Sequence, residues 1–135
     1  MSQANIRKAF EKKLISVCPA NSIAFEAVDY TPKNGTPYHS CRLVPATVQN
    51  PTLGDNYHRE VGIFSVVLHY PLGVGSQQAA ARAEELKLIF HRNLTIVEAN
   101  TEVNISKTPS IGSGYVDNGR YCIPIRIQYY TNEFS

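Results

Sequence analysis

The sequence predicts an α+β fold, in which a mostly antiparallel β-sheet carries two helices on it. Apolar residues alternate along residues 120–130 with the period of a β-strand, and residues 59–70 form a strand whose two faces are both largely apolar. Apolar residues recur every three or four positions along 3–17 and 77–90, with the period of an α-helix. No repeat or linker interrupts the chain, so one domain covering 1–135 is the simplest arrangement.

Composition restricts the class of protein. The chain has 135 residues, of which 43% are hydrophobic, so it can bury a substantial core. Its 13 basic and 11 acidic residues give a net charge of +2, which lacks the strongly basic character of proteins that bind nucleic acid or anionic membranes. No apolar run approaches the ~20 residues of a membrane span, and the N-terminus lacks a signal-peptide core. We therefore expect a protein made in the cytoplasm, without a membrane partner.

The first helix should cover residues 3–17 and end before Pro19. Its other face is basic, and on it Arg7 and Glu11 have the spacing of an ion pair one turn apart. A solvated face is the simpler interpretation of these charges, and a face that meets a partner is the alternative. The apolar stripe of the helix consists of Ile6, Phe10, Leu14 and Val17.

Two strands should follow the first helix. Residues 23–29 form the first, and the Pro- and Gly-containing stretch 30–38 is a loop. Residues 39–45 form the second strand. On it, one face carries Cys41 and Leu43 and the other Arg42 and Val44.

The strand at 59–70 should be central, because both of its faces are largely apolar. This predicts that the sheet is covered on both sides. Pro71, Gly73 and Gly75 then break the strand before the second helix. The apolar stripe of that helix consists of Ala79, Ala83, Leu86 and Phe90.

The C-terminal third should consist of β-structure. A hairpin joins residues 95–97 to 101–106, and Asn118-Gly119 is a turn of the hairpin type. In the last strand Pro124 cannot donate to a ladder, so we expect it at an edge or a bulge. The polar tail 131–135 should fray. The inward residues of the last strand are Tyr121, Ile123, Ile125, Ile127 and Tyr129.

No catalytic, cofactor or metal site emerges from the reactive side chains. Cys18, Cys41 and Cys122 are odd in number and far apart, which indicates free thiols. His39 lies two residues before Cys41, yet no third group is evident that would orient such a pair. The four histidines are scattered, without the spacing of a helical metal site. We therefore expect no cofactor, no metal and no enzymatic activity.

Several short segments, in order along nearly the whole chain, resemble the tail terminator family of long-tailed bacteriophages, which is similar in plan to the lambda-type minor tail protein U. Each segment is weak evidence alone, and the ordered set is more specific. The segments are Asn50-Pro51-Thr52-Leu53-Gly54, Arg59-Glu60-Val61-Gly62-Ile63-Phe64, Tyr70-Pro71-Leu72-Gly73, Ala81-Arg82-Ala83-Glu84, Thr108-Pro109-Ser110-Ile111 and Arg120-Tyr121-Cys122-Ile123-Pro124-Ile125.

The resemblance implies a structural protein of the virion that forms a homohexameric ring. Such a ring caps the tail tube at its head-proximal end, stops tube polymerisation and joins the tail to head-completion (connector) proteins. DNA would pass through the ring without sequence-specific binding. The resemblance implies neither catalysis nor a cofactor. Another ring of the head–tail junction is the alternative that stays open.

The stretch 46–57 has no periodicity and should be a long loop, of the kind that often carries function. We expect it to be mobile in the isolated subunit and ordered against a neighbouring chain, so that Leu53→Asp would impair assembly without unfolding the subunit. A small enzyme or ligand-binding domain, with a pocket near this loop and His58, is the alternative. The candidate interface residues are Val48, Asn50, Leu53, Asp55, Tyr57, Arg59 and Glu60.

Overall fold

The structure is a computed structural model that describes residues 2–19, 22–26, 28, 30–32, 35–46, 57–73 and 75–134. It contains two helices within these residues, α1 (Ser2–Ile15) and α2 (Gly75–Ile89). The strands are β1 (Ile23–Ala24), β2 (Tyr38–Pro45), β3 (Tyr57–Pro71), β4 (Thr95–Glu98), β5 (Thr101–Ile105), β6 (Ser110–Ile111), β7 (Tyr115–Asp117) and β8 (Arg120–Phe134).

All these strands belong to one sheet, with the order β1-β2-β3-β8-β5-β4. The short strands β6 and β7 also pair with β8, along the same edge as β5. Every pairing is antiparallel except that of β1 with β2, which is parallel. The predicted α+β fold, with two helices and a mostly antiparallel sheet, is therefore confirmed.

The centre of the sheet is the ladder between β3 and β8. It runs without a break from the pair Tyr57 and Phe134 to the pair Pro71 and Arg120. Both strands are longer than predicted, and the tail does not fray before Phe134. Thr131 is fully buried, and its hydroxyl donates a hydrogen bond of 2.5 Å to the carbonyl of Glu102.

The core lies between the sheet and the two helices, which pack on the same face. Both predicted helical stripes are buried there, apart from the half-buried Val17. Phe10 of α1 stacks on Phe64 of β3, with ring centroids 4.5 Å apart, and also meets Phe90 and Tyr129. This aromatic cluster joins α1, the end of α2 and the two central strands.

Within the described residues, the predicted cover over both faces of β3 is found on one face. Phe64, Val66, Leu68 and Tyr70 lie in the core, on the face that carries the helices. The side chains of Val61, Ile63, Ser65 and Val67 point to the other face, and all four are only half-buried. No described helix packs on that second face.

The N-terminal third also differs from prediction in its details. Helix α1 ends at Ile15, and the turn that follows it is closed by a hydrogen bond from the Cys18 amide to the Leu14 carbonyl. Arg7 forms its ion pair with Glu26, at 3.3 Å, and not with Glu11. The first strand contains only Ile23–Ala24 of the predicted range 23–29, in which residues 27 and 29 lie outside the described residues.

The turns of the C-terminal third follow the prediction. Asn118 and Gly119 have φ angles of 50° and 72°, as a two-residue hairpin of type I′ requires. Pro124 faces Val67 in the ladder, and its carbonyl accepts a hydrogen bond from Gly112. The N–H and C=O groups of one strand residue point to the same side. The nitrogen of Pro124, which carries no hydrogen, therefore faces the same side as its carbonyl, towards the gap between β6 and β7. Pro124 thus lies at a break in pairing along the far side of β8.

No helix of the described residues is both long and apolar enough to cross a membrane.

Candidate functional site

The face of the sheet without helices is the most extensive candidate site, and we call it the outer face. It mixes half-buried apolar side chains with polar and charged ones, a composition typical of surfaces that meet another protein. Strands β2, β3 and β8 contribute most of it. The residues concerned are Ser40, Arg42, Val44, Val61, Ile63, Ser65, Val67, Pro124, Arg126, Gln128 and Tyr130.

Two arginines face each other across the middle of the outer face. Arg42 of β2 pairs in register with Ser65 of β3, and Ser65 pairs with Arg126 of β8. We call these residues the arginine rung. Both arginines are exposed, and among the described residues neither side chain has an ion pair or hydrogen bond. Guanidinium groups placed in this way suit a carboxylate, which they can bind through two parallel hydrogen bonds.

A second exposed surface lies on α2, on the side away from the core. Ala80, Glu84 and Leu88 recur every four residues there, and all three are exposed, Leu88 to 73%. We call them the outer stripe of α2. Glu84 has no ion pair within the described residues, whereas the neighbouring Glu85 pairs with Arg82 at 3.8 Å. The outer stripe of α2 thus offers a partner one apolar and one acidic contact.

Four of the seven predicted interface residues, Val48, Asn50, Leu53 and Asp55, lie outside the described residues. Their role therefore stays a prediction, as does that of the whole loop 46–57.

The other three predicted interface residues lie at the start of β3. Tyr57 is its first residue. The guanidinium of Arg59 lies 4.6 Å from the centroid of the Tyr130 ring, and its Nε donates a hydrogen bond to Asn132. Glu60 points to the opposite face, where its Oε2 is buried without a partner among the described residues. Arg59 and Glu60 are thus separated by the sheet and do not act as one charged pair.

A groove of about 440 Å³ lies next to Arg59 and includes Ala46, the residue before the undescribed part of the loop. Gly62 lies in this groove against the Tyr129 ring, and an added Cβ would come within 2.6 Å of the Tyr129 hydroxyl oxygen. Burial and the charge of Glu60 raise the pKa of Tyr129 to about 12, too high for proton transfer at neutral pH. The described part of the groove therefore offers no acid–base pair, which weakens the alternative of an enzyme with a pocket at this place.

A second cleft, of about 480 Å³, lies between α2 and the start of β2. Arg82 lines it and donates a hydrogen bond of 2.7 Å to the carbonyl of Val17, so this cation ties α2 to the end of α1. Burial, together with the charge of Arg82, lowers the pKa of His39 to about 4. His39 is therefore neutral at pH 7. The charged Arg82 has a structural role, because it joins the two helices.

The described residues include a close contact between a thiol and an imidazole that the sequence analysis missed. Cys122 Sγ lies 3.3 Å from His69 Nδ1, and His69 Nε2 lies 2.9 Å from the hydroxyl of Ser40. Burial raises the pKa of Cys122 and lowers that of His69, so the reactive ion pair of thiolate and imidazolium is disfavoured. The pair would have been recognisable only from the register of β3 and β8, in which the two residues face each other.

The remaining reactive side chains also have structural surroundings. His39 and Cys41 both point into the core, where burial, with the charges of Glu11 and Glu26, raises the pKa of Cys41 to about 12. The three cysteines are free, as predicted, and all three are buried. Within the described residues, no three metal-ligating side chains come close enough to hold a metal ion.

Comparison with known proteins gives one family and several solved structures of similar fold, including the following two. The sequence model of a family described as "Phage tail terminator protein" matches residues 5–129. One solved structure, which carries no functional name, has 30% sequence identity and a TM-score of 0.78, over 100% of this chain and 98% of its own. A chain from the virion of a native gene transfer agent (GTA) particle has 15% identity and a TM-score of 0.60, over 98% and 96%. No curated protein matches the sequence.

Proposed function

The chain belongs to the phage tail terminator protein family, and from this premise we propose that it forms a ring that caps the tail tube and ends its polymerisation. The family makes it a structural protein of the phage tail and the virion. The fold shared with a chain of the GTA virion particle agrees with that role. Membership in a structural family also favours a protein without enzymatic activity.

The observation that supports the ring most directly is the pair of unlike surfaces on one subunit. The outer face lies on one side of the sheet, and the outer stripe of α2 lies on the opposite side of the subunit. A contact between two unlike patches is heterologous, and it repeats from copy to copy until the assembly closes as a ring or grows as a filament. A subunit with such surfaces is suited to ring assembly.

The proposal includes the partners that the family implies. The ring is a homohexamer at the head-proximal end of the tail, with the tail tube protein on one side and head-completion (connector) proteins on the other. DNA passes through its lumen without sequence-specific contacts, in keeping with a net charge of only +2. Residues 1–135 act as a single tail-terminator domain, and the loop with Val48 and Leu53 contacts a neighbouring chain.

The test is assembly of the purified protein with purified tail tube protein. We expect rings of one subunit number by mass photometry and negative-stain imaging. We also expect tubes to stop growing when substoichiometric protein is added. Leu53→Asp should leave the far-UV circular dichroism spectrum unchanged and abolish capping, whereas Val116→Asp, at a residue 63% exposed on β7, serves as a matched control. Tubes that continue to grow in the presence of a saturating amount of the protein would overturn the terminator role. Rings that bind only head-completion protein would show that the protein forms another ring of the head–tail junction.

A further inference from the structure

The structure points to a specific contact between neighbouring subunits, in which α2 of one copy packs on the outer face of the next. Glu84 of the incoming helix lies above Ser65, between Arg42 and Arg126 of the receiving copy. This inference rests on the proposed ring and names the contact that builds it. It follows from three independent features, namely charge, spacing and topology.

The charges are complementary, and none of them has a partner within the described part of the subunit. Arg42 and Arg126 lie on neighbouring strands on either side of β3, so their Cα atoms are about 10 Å apart, twice the strand spacing. Ser65 between them is small and leaves space above the strand. A carboxylate in that space can accept hydrogen bonds from both guanidinium groups, and Glu84 is an exposed carboxylate on a surface that also offers an apolar anchor.

The spacing of the two surfaces agrees. Along the outer stripe of α2, Ala80, Glu84 and Leu88 follow one another at about 6 Å, four residues of helical rise. Along β3, outward residues follow one another at about 6.7 Å, two residues of strand rise. With Glu84 above Ser65, Leu88 reaches Ile63, and Ala80 comes to lie above Val67.

The exposed apolar side chain of the outer face fixes the direction of the helix. The rung of Ile63 includes Val44, which is 39% exposed, so Leu88 there completes an apolar contact. The rung of Val67 includes Ser40 and Pro124, both only half-buried and neither a large apolar side chain, so the small Ala80 lies there. The helix therefore runs antiparallel to β3 of the receiving subunit.

Topology excludes the same contact within one subunit. Helix α2 packs on the core face through Ala79, Ala83 and Leu86, so the sheet separates its outer stripe from the outer face of its own subunit. The contact must therefore join two copies, and in an open assembly only the two terminal copies keep an unused surface, one of each kind, until the ring closes.

DNA fits the outer face less well than a second copy does. Apolar side chains border the arginine rung on both sides, Val44 and Ile63 on one side and Val67 and Pro124 on the other, each group beside one uncharged polar residue. Phosphate backbones are bound by wet, strongly basic surfaces, whereas a helix with an acidic and an apolar residue satisfies both parts of this face.

Charge reversal is the first test, with subunit assembly measured by mass photometry over a concentration series. We expect Glu84→Arg, and likewise the double variant Arg42→Glu/Arg126→Glu, to raise the concentration for half-assembly by about 30-fold or more. Combining all three substitutions should restore most of the assembly, because the charges are then exchanged. Lys107→Glu, an exposed charge reversal elsewhere, is the control and should have no effect. All these side chains are exposed, so circular dichroism should report an unchanged fold.

Cross-linking is the second test, and it checks the register directly. Leu88→Cys protein mixed with Ile63→Cys protein should give a covalent dimer with a short bifunctional maleimide. Neither variant alone, nor the wild-type protein with its buried thiols, should give one. A closed ring that assembles normally after Glu84→Arg, or that gives no cross-link in the mixture, would refute the contact and leave the ring intact.

Two further outcomes separate the inference from the proposed function. A wild-type protein that stays monomeric at every concentration, alone and with tail tube protein, would refute both. Loss of binding to a duplex DNA probe in Arg42→Ala/Arg126→Ala, with assembly unchanged, would assign the arginine rung to DNA and overturn the inference alone.

Discussion

Replacing Phe10 by alanine should remove a large share of the stability of the subunit. Phe10 is fully buried, and its ring contacts those of Phe64, Phe90 and Tyr129 at centroid distances of 4.5, 5.8 and 5.4 Å. These contacts join α1 to the central ladder and to the end of α2. The substitution therefore leaves a cavity where three parts of the fold meet.

The magnitude follows from burial and ring contacts together. Truncation of a buried phenylalanine to alanine costs about 3–5 kcal/mol. Aromatic pairs contribute about 0.5–1.5 kcal/mol beyond the area they bury, so we expect Phe10→Ala in the upper part of that range, about 4–5 kcal/mol. For a domain of this size the melting temperature falls by about 3–4 °C per kcal/mol, giving a decrease of about 12–20 °C.

Far-UV circular dichroism is the suitable assay, because the chain contains no tryptophan. Urea and thermal unfolding should be measured at one subunit concentration, since assembly stabilises the folded state. Phe10→Leu keeps most of the volume and should lose less than about 1.5 kcal/mol. Leu88→Ala, at a side chain 73% exposed, should change the monomer by less than about 0.5 kcal/mol. A loss below about 1 kcal/mol for Phe10→Ala would refute the central place of this aromatic cluster.

Three further substitutions test other parts of the core. Ile125→Asp should unfold the subunit, because it buries an unpaired charge at a fully enclosed position, and a cooperative melt near the wild-type temperature would contradict the core assignment. Burial lowers the pKa of His39 to about 4 in the folded state, against about 6.5 in the unfolded chain. Above pH 6.5 His39 is neutral in both states. As the pH falls from 6.5 towards 4, the unfolded chain binds the proton first, so the folded state loses stability. Between pH 7.5 and 4.5 the wild type should therefore lose about 2–3 kcal/mol more than His39→Gln in urea unfolding, and equal losses would refute this linkage. Gly62→Ala should cost about 1–3 kcal/mol, because the new Cβ would lie 2.6 Å from the Tyr129 hydroxyl and 2.7 Å from the Val44 carbonyl. Tyr129→Phe should relieve part of that loss, and an identical loss in both backgrounds would count against the clash.

The local pattern of the sequence predicted the long elements, since each of them has a clear period, whereas the short strands β1, β6 and β7 have too few residues to show one. The buried stripes of both helices and the inward residues of β8 follow directly from spacing. Pairing between distant segments was harder, because no local pattern indicates which strand lies beside which. The parallel pairing of the short β1 with β2, and the contact of His69 with Cys122, depend on such distant neighbours.

The second face of β3 bears on the candidate site. Val61, Ile63 and Val67 are apolar, and the sequence analysis took this as evidence that the sheet is covered on both sides. An apolar face requires removal from water, but the pattern does not say whether the cover comes from the same chain or from a second copy. The arginine rung was missed for a related reason, because Arg42 and Arg126 become neighbours of Ser65 only through the register of three strands.

The place of β8 in the sheet has a consequence for the speed and order of folding. This strand is synthesised after every other described element, yet it lies between β3 and the strands β4–β7. Its ladder with β3 joins residues as far apart in sequence as Tyr57 and Phe134, and closing loops of that length slows folding. Until β8 is added, β3 has an open edge, and on a ribosome that delivers about 5–20 residues per second this exposes it for several seconds. The nascent subunit is therefore most vulnerable to aggregation and proteolysis in the period before β8 has been synthesised.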